Sequence, residues 1–315
     1  MVTGGAGFIG SHLSEYLIKF GVGKLIVIDN FSLGKDSNIK HLYKLDNFEL
    51  YRADSSDINI MNTIFENYSI DVVFNLAVIP LPASLIDPKK TVDENVSITS
   101  TICELQRKDK FKTLIHTSSS EAYGTAAYSK GMMDETHPTY PITPYAASKL
   151  ASDHIALSYM KTFDLDTSIV RPFNTYGPRQ NEKSYAGVIP LTIMRILKGE
   201  SPVIYGDGLQ TRDYTYVEDI AKAIPKFYEE KSTRGKVINL ASGKESTIKE
   251  IIDKIIDVMN YKGSIVYLPS RPGDVRRHLG DISLAEKLIG YKPTISFQDG
   301  IKKTVDWYKQ NIALK

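Results

Sequence analysis

Three side chains in the middle of the chain have the types and spacing needed to take a proton from an alcohol. Tyr145 and Lys149 lie four residues apart in a segment with helical character, so both side chains emerge on one helix face. A lysine ammonium beside a phenol favours the phenolate and is expected to lower its pKa from about 10. A hydroxyl from Ser119 can hydrogen-bond the same substrate oxygen. Together these groups would remove the alcohol proton while a hydride leaves the carbon that bears the hydroxyl.

The serine lies where a parallel sheet is expected to bind its ligands. The apolar run at 113–116 predicts a short buried strand, and Ser119 follows its carboxyl end. In open parallel sheets, ligands bind at this edge. A Tyr-x-x-x-Lys pair alone is weak evidence, because both residue types are common on solvated helix faces. The interpretation therefore depends on what the rest of the chain carries.

The N-terminal region has a pattern typical of nucleotide binding. Gly4, Gly7 and Gly10 form Gly-x-x-Gly-x-x-Gly ahead of an amphipathic helix. Glycine at these positions lets backbone N–H groups approach a pyrophosphate. The next predicted strand, 24–28, is followed by Asp29, whose carboxylate can accept both ribose hydroxyls and would repel a 2′-phosphate. The pattern favours NAD over NADP.

Composition excludes several other classes of protein. The chain has 315 residues, 42% of them apolar and 24% charged, which is ordinary for a globular protein with a sizeable core. The net charge of +2 gives no basic field for nucleic acid. A single cysteine, Cys103, excludes an internal disulfide framework, fits a reducing cytoplasm and lies in an apolar stretch that indicates packing. No stretch reaches the roughly 18 apolar residues of a membrane span, and no signal peptide is visible. We therefore expect a cytoplasmic enzyme with no nucleic-acid partner, membrane partner or metal site.

Strands and helices alternate as far as residue 161, which predicts an α/β fold with a Rossmann-type doubly wound parallel sheet. We assign residues 1–173, with about 214–242, to an NAD-binding domain. Residues from about 174–213 and 243–315 are assigned to a smaller α/β lobe that binds the substrate. The first strand has only Met1-Val2-Thr3 ahead of the glycine turn, so a form extended upstream is expected to be more stable.

Four motifs occur in a fixed order: the glycine turn, the Ser/Tyr/Lys set, Arg-Pro-Phe-Asn-x-Tyr-Gly-Pro and Arg-Pro-Gly-Asp. This combination of motifs closely resembles the extended short-chain dehydrogenase/reductase family of nucleotide-sugar epimerases and dehydratases. The motifs together span essentially the whole chain. The resemblance implies that Tyr145 is the base, that Lys149 lowers its pKa and holds the nicotinamide ribose, and that Ser119 binds the sugar O4. It also implies that NAD removes a hydride from C4 and stays bound between turnovers.

The resemblance assigns further contacts to cofactor and substrate. The residues expected at NAD are Gly4, Gly7, Phe8, Ile9, Gly10, Asp29, Asn30, Asp54, Ser55, Leu76, Ala77, Tyr145 and Lys149. The residues expected at the nucleotide sugar are Ser84, Asn174, Val188, Ile189, Arg212, Arg271 and Asp274. Asn174 and the two arginines would meet the diphosphate, whose oxygens suit a planar guanidinium, and Asp274 would meet the nucleotide ribose.

Glu121 bears on which reaction follows C4 oxidation. In 4,6-dehydratases of this family the block typically reads Thr-Asp-Glu or Thr-Ser-Glu, and its glutamate removes the C5 proton; in 4-epimerases that position is usually small or hydroxylic. Here it reads Ser119-Ser120-Glu121, and the serine at 120 is similar to that of the GDP-mannose 4,6-dehydratases. A C4 ketone acidifies the C5 proton, so Glu121 can take it while water leaves from C6. We therefore favour a 4,6-dehydratase that makes a 4-keto-6-deoxy sugar nucleotide.

Other interpretations stay open. Glu121 could bind a hydroxyl in a 4-epimerase of the UDP-glucose or UDP-GlcNAc type. The Ser-Glu pair also occurs in nucleotide-sugar uronate decarboxylases, although these usually lack the Tyr-Ala-Ala-Ser-Lys context. A protein that binds NAD without catalysis is disfavoured, because Ser119, Tyr145 and Lys149 are all present. UDP- or GDP-linked hexoses and N-acetylhexosamines are the candidate substrates. The resemblance also implies a homodimer that pairs the helices near 90–107 and 145–162.

Overall fold

A computed structural model describes residues 1–126, 131–182, 186–270 and 274–311 of the chain. Its strands are β1 (Val2–Thr3), β2 (Leu25–Asp29), β3 (Phe48–Arg52), β4 (Ile70–Asn75), β5 (Phe111–Thr117), β6 (Asp166–Pro172), β7 (Asn174–Tyr176), β8 (Val203–Tyr205), β9 (Thr211–Tyr216), β10 (Val237–Leu240), β11 (Glu245–Thr247) and β12 (Val266–Leu268). Seven of them form a parallel sheet in the order β10-β6-β5-β4-β1-β2-β3. The order reverses at β1, which is the switch point where such sheets bind ligands.

Helices cover both faces of this sheet, as a doubly wound fold requires. They are α1 (Phe8–Phe20), α2 (Asp36–Ile39), α3 (Ile58–Asn67), α4 (Leu81–Ser84), α5 (Pro88–Arg107), α6 (Pro144–Phe163), α7 (Val188–Leu197), α8 (Val217–Ala223), α9 (Lys226–Glu229), α10 (Ile248–Met259), α11 (Ser283–Ile289) and α12 (Phe297–Asn311). One core cluster contains residues of α1, α8 and α11, and a second contains residues of α3, α5 and α6. Cys103 is buried in the second cluster, as its apolar surroundings predict. The predicted Rossmann-type α/β fold is confirmed.

A smaller unit packs around its own apolar core. It contains the sheets β11-β9-β7 and β12-β8, with α7, α10 and α12 against them. Tyr308 on α12 is fully buried there. The predicted limits of the two domains remain a prediction. Ala285 and Ile289 of α11 pack in the core of the large sheet, although the assignment gives their segment to the smaller lobe.

Two pairs of neighbouring elements are each separated at a proline. Strand β6 ends at Pro172, and β7 starts at Asn174 and joins the smaller sheet beside β9. Helix α8 ends at Ala223 and α9 starts at Lys226, with Pro225 between them. Proline lacks the N–H that a helix interior or a central ladder needs. Within the described ranges, no helix is both long and apolar enough to cross a membrane.

Helix α6 begins at residues that favour a helix N-terminus. The Thr143 side chain accepts a hydrogen bond from the Ala146 N–H at 3.2 Å, and Pro144 occupies the first turn, where no N–H is needed. Tyr145 therefore lies in the first turn, and Lys149 follows one turn later on the same face. The helix is fixed at the end that carries the predicted catalytic pair.

Candidate active site

A cavity of about 900 Å³ opens at the carboxyl ends of the large sheet's strands and extends to the smaller unit. Most of the predicted site residues line it: Gly4, Gly7, Phe8, Ile9, Gly10, Asp29, Asn30, Asp54, Ser55, Leu76, Ala77, Ser119, Ser120, Glu121, Tyr145, Lys149, Asn174, Val188, Arg212 and Asp274. Of the described site residues, Ser84 and Ile189 are not among them. The catalytic, cofactor and substrate segments of the sequence thus meet at one cavity, while the individual roles remain predictions.

Two predicted substrate contacts, Ser84 and Ile189, do not line the cavity. Ser84 is 1% exposed, and its hydroxyl donates to the Leu81 carbonyl oxygen at 2.7 Å. Ile189 is also 1% exposed and packs in the core of the smaller unit. Arg271 lies outside the described residues. The geometry therefore gives no support for Ser84 or Ile189 at the substrate, because each side chain is directed into the protein.

The glycine turn forms a cradle at the start of α1. Gly4 has a φ of +67°, and a Cβ on Gly10 would lie 2.1 Å from the Gly4 carbonyl oxygen, so neither position accepts a side chain. A Cβ on Gly7 would meet only that same oxygen, at 3.1 Å, on the cavity wall. The first N–H groups of α1 have no partners within the helix and carry its positive dipole end. The cradle fits a pyrophosphate.

Asp29 fastens this cradle to the end of β2. One carboxylate oxygen accepts the Ala6 N–H at 2.9 Å and the other accepts the Phe31 N–H at 2.8 Å. Burial raises the pKa of Asp29, and the backbone hydrogen bonds oppose that shift. The Asn30 amide donates to Asp54 at 2.9 Å, so the two predicted cofactor residues form one polar edge. The carboxylate lines the cavity with lone pairs left for ribose hydroxyls, which fits the nucleotide end of NAD.

Lys149 is held beneath the end of β5. Its ammonium donates to the Thr117 carbonyl oxygen at 2.6 Å, and burial lowers the pKa of Lys149 to about 8. The Asp153 carboxylate, one turn further along α6, acts against that shift. Lys149 is therefore oriented by the strand that also leads to Ser119.

The predicted effect of Lys149 on Tyr145 is wrong for this structure. The sequence predicts a lowered phenol pKa, whereas burial raises the pKa of Tyr145 to about 12. A hydrogen bond with Ser119 acts in the predicted direction, but the negative charges of Glu121 and Asp153 add to the effect of burial. Burial is the main cause of the raised pKa, and the Lys149 ammonium donates to the Thr117 carbonyl oxygen.

Glu121 faces the cavity one short turn beyond Ser119. The segment Ser120–Tyr123 is a 3₁₀ helix that Ser119 caps by accepting the Glu121 N–H at 3.2 Å. Burial raises the pKa of Glu121, Arg212 lowers it, and Asp274 raises it further. A carboxyl with a raised pKa is better matched to general acid–base work near neutrality than an ordinary glutamate.

Two of the predicted substrate residues differ in their hydrogen bonding: Asn174 has a side-chain donor without a partner among the described residues, and Arg212 is already paired. Asn174 lines the cavity, and its buried amide nitrogen has no hydrogen-bond partner among the described residues. Arg212 donates to Asp274 at 2.5 Å and to the Val275 carbonyl oxygen at 2.5 Å. Arg212, predicted to contact the diphosphate, and Asp274, predicted to contact the ribose, thus form an ion pair with each other. A donor-rich wall of this kind fits the oxygens of a sugar nucleotide.

Sequence reasoning missed a buried polar cluster behind the catalytic helix. Asp153 accepts the Ser118 hydroxyl at 2.7 Å and the Arg171 guanidinium at 2.5 Å, and all three side chains are buried. Arg171 also lies over the Tyr123 ring, 4.4 Å from its centroid. The i,i+4 spacing of Lys149 and Asp153 can be read from the sequence, but the pairing of Asp153 with Arg171 on β6 cannot. In the part of the chain that the structure describes, no group of three or more His, Cys, Asp or Glu residues could hold a metal ion.

A glycine cradle that leads to a ribose-facing carboxylate, opposite a Ser, Tyr and Lys set, defines the class of extended short-chain dehydrogenase/reductases. A family model described as GDP-mannose 4,6 dehydratase matches residues 1–304, and the chain belongs to that family. A UDP-glucuronate 4-epimerase of Thermodesulfobacterium geofontis is 36% identical over 330 residues, with 100% of this chain and 97% of that protein covered. The predicted resemblance to nucleotide-sugar epimerases and dehydratases is confirmed.

Two solved structures of such enzymes have the same fold. The UDP-N-acetylglucosamine 4-epimerase of Methanobrevibacter ruminantium, in complex with UDP-N-acetylmuramic acid, is 36% identical with a TM-score of 0.90, covering 99% of this chain and 98% of that one. The dTDP-glucose 4,6-dehydratase of Bacillus anthracis, in complex with NAD, is 30% identical with a TM-score of 0.90, covering 99% and 96%. The cofactor predicted from the sequence is therefore the one held by a solved relative. The chain is a nucleotide-sugar epimerase or dehydratase by class.

Proposed function

We propose that the chain is an NAD-dependent nucleotide-sugar 4,6-dehydratase. The observation that carries the proposal is the carboxyl of Glu121, which lines the same cavity as Ser119 and Tyr145 and has a pKa raised by burial. An epimerase needs an acid–base group only at the C4 hydroxyl, whereas a dehydratase needs a second one for the C5 proton. This cavity has one candidate for each task.

The chain's own groups divide the reaction between them. As its phenolate, Tyr145 takes the C4 hydroxyl proton, with Ser119 hydrogen-bonded to the same oxygen, and Lys149 would hold the nicotinamide ribose from one turn away. Glu121 takes the proton from C5, which the C4 ketone has acidified, and the C6 hydroxyl leaves as water after protonation. When bound, NAD supplies the acceptor for the C4 hydride and the donor of that hydride to C6. Return of a proton to C5 completes a net loss of one water.

A 4-epimerase is the second candidate. Two of the relatives described above, at 36% identity, are named 4-epimerases of UDP-sugars. In that case Glu121 would bind a sugar hydroxyl, and the ketone would be reduced on its opposite face. UDP- or GDP-linked hexoses and N-acetylhexosamines are the proposed substrates for either reaction. We also propose a homodimer, which light scattering of the purified protein tests.

The reaction is tested by incubating the protein with these nucleotide sugars in heavy water and recording mass spectra. A dehydratase gives a product lighter by one water that carries deuterium at C5. An unchanged mass with a shifted C4 proton resonance would identify an epimerase and overturn the dehydratase proposal. Loss of carbon dioxide from UDP-glucuronate would identify a decarboxylase instead.

Replacement of Glu121 by Gln tests its role directly. We expect Glu121→Gln to lower the rate of water loss by about a hundredfold or more, the range for removal of a general base. The variant should still oxidise C4, which is seen as absorbance of reduced cofactor. Tyr145→Phe is the matched control, because it should abolish that absorbance as well while the protein still binds NAD. Water loss at the parent rate in Glu121→Gln would contradict the proposed role.

A further inference from the structure

A loop of the smaller unit is fastened across the cofactor end of the large sheet. Residues 178–182 follow β7 and lie against α1 and the segment after β2. Two ion pairs join them: Arg179 with Glu15 and Lys35 with Glu182. We call these four residues the clasp. Neither the glycine motif nor the catalytic set includes any of them.

The contacts of the clasp are short and partly buried. Arg179 donates to Glu15 at 2.7 Å, and the Lys35 ammonium lies 2.6 and 2.5 Å from the two oxygens of Glu182. The Glu182 side chain is only 11% exposed, and that of Arg179 16%. Partial burial makes such pairs stronger than exposed ones. Burial raises the pKa of Glu15, but the hydrogen bond and charge of Arg179, together with the charges of His41 and His12, lower it below the usual value.

Each clasp residue is connected to the cofactor cradle. Glu15 lies on α1, which starts at the glycine turn, and the Lys35 N–H donates to the Ala6 carbonyl oxygen at 3.1 Å. Lys35, Arg179 and Glu182 line the cavity together with Gly7. One guanidinium nitrogen of Arg179 is buried and has no hydrogen-bond partner in the described part of the chain. A donor without a partner beside a cradle for pyrophosphate suits a phosphate oxygen.

We propose that the clasp retains NAD by holding the loop at 178–182 over the cradle. The inference rests on the proposed function, because a hydride taken from C4 must return to the same sugar before the cofactor leaves. Release of NAD then requires both ion pairs to open, so they act on the dissociation rate rather than on the chemical step. Four residues outside every sequence motif become positioning residues for the cofactor.

The test measures the release of labelled NAD from the purified protein after a chase with excess unlabelled NAD. Glu182→Gln and Lys35→Met should each release NAD roughly tenfold faster than the parent, as expected for loss of a hydrogen bond between charged groups. The control is Glu49→Gln. It breaks the ion pair between Lys24 and Glu49, whose charged atoms lie 3.0 Å apart on the surface and away from the cavity. Its release rate should equal that of the parent. Parent-like rates in both clasp variants would overturn the proposal.

A charge swap distinguishes an effect of the Lys35–Glu182 ion pair from a direct contact between Lys35 and NAD. If Lys35 and Glu182 act through each other, Lys35→Glu combined with Glu182→Lys restores slow release. A direct contact between Lys35 and the anionic cofactor predicts instead that the swap releases NAD faster than either single variant, which would overturn the clasp. A parent that binds no NAD would overturn the proposed function together with the clasp. A parent that holds NAD, with variants that release it at the same rate, would overturn the clasp alone.

Discussion

At the scale of single residues, the buried position of Lys149 in the candidate catalytic set has a cost in stability. Lys149 is 4% exposed, and burial lowers its pKa from 10.5 to about 8. Below that value the folded protein must keep a buried ammonium, which the unfolded chain solvates freely. A side chain without charge at this position would remove that cost and the function with it.

We predict that Lys149→Met stabilises the folded protein while abolishing turnover. The folded pKa is lower than the unfolded one, so between about 8 and 10.5 the unfolded parent binds more protons and its stability rises with pH. The advantage of the variant should therefore be largest below pH 8 and should shrink as the pH approaches 10.5. Denaturant unfolding of both proteins across this range checks the prediction, and a pH-independent difference would contradict it.

The candidate catalytic residues could be found from sequence because their signals are local. Tyr145 and Lys149 share one helix turn, and Asp29 ends a strand a fixed distance after the glycines. Arg179 and its partner Glu15 are 164 residues apart, and no periodicity brings them together. The direction of the Tyr145 pKa shift was also beyond the sequence, because it depends mainly on burial.

At the scale of elements, helix α6 carries the predicted catalytic pair, and a buried ion pair lies next to it. Tyr145, Lys149 and Asp153 follow at successive turns, and Asp153 reaches across to Arg171 on β6 at 2.5 Å. The Ser118 hydroxyl at the end of β5 donates to the same carboxylate. One carboxylate thus ties the catalytic helix to the two strands that end at the cavity.

We predict that Asp153→Asn destabilises the protein by about 3–5 kcal/mol, since it leaves the Arg171 charge buried without its partner. Asp153→Leu combined with Arg171→Met should recover most of that loss, because it removes both charges at once. Chemical denaturation of the three proteins measures the difference. If the double variant is no more stable than the single one, the ion pair is not the cause of the effect.

At the scale of the whole molecule, the smaller unit is joined to the large sheet through Asp213. This residue lies on β9 and is 0% exposed. Its carboxylate accepts hydrogen bonds from two segments: residues 242–243, which follow β10 of the large sheet, and the segment that contains Gly280. One oxygen accepts the Ser242 N–H at 2.7 Å and its hydroxyl at 2.6 Å, just after β10. The other accepts the N–H groups of Gly243 at 3.0 Å and Gly280 at 3.2 Å.

We predict that Asp213→Asn weakens the entire fold, because an amide cannot accept on both sides. Its NH₂ group must face backbone N–H donors whichever way it is turned, at about 1–3 kcal/mol for each donor left unpaired. Asp207→Asn is the control: that carboxylate pairs with Arg276 at 2.8 Å on the exposed surface, where loss of a pair costs at most about 1 kcal/mol. Denaturant unfolding of both variants decides the matter. If Asp213→Asn loses no more stability than Asp207→Asn, the two units are held together by their apolar contacts and not by this carboxylate.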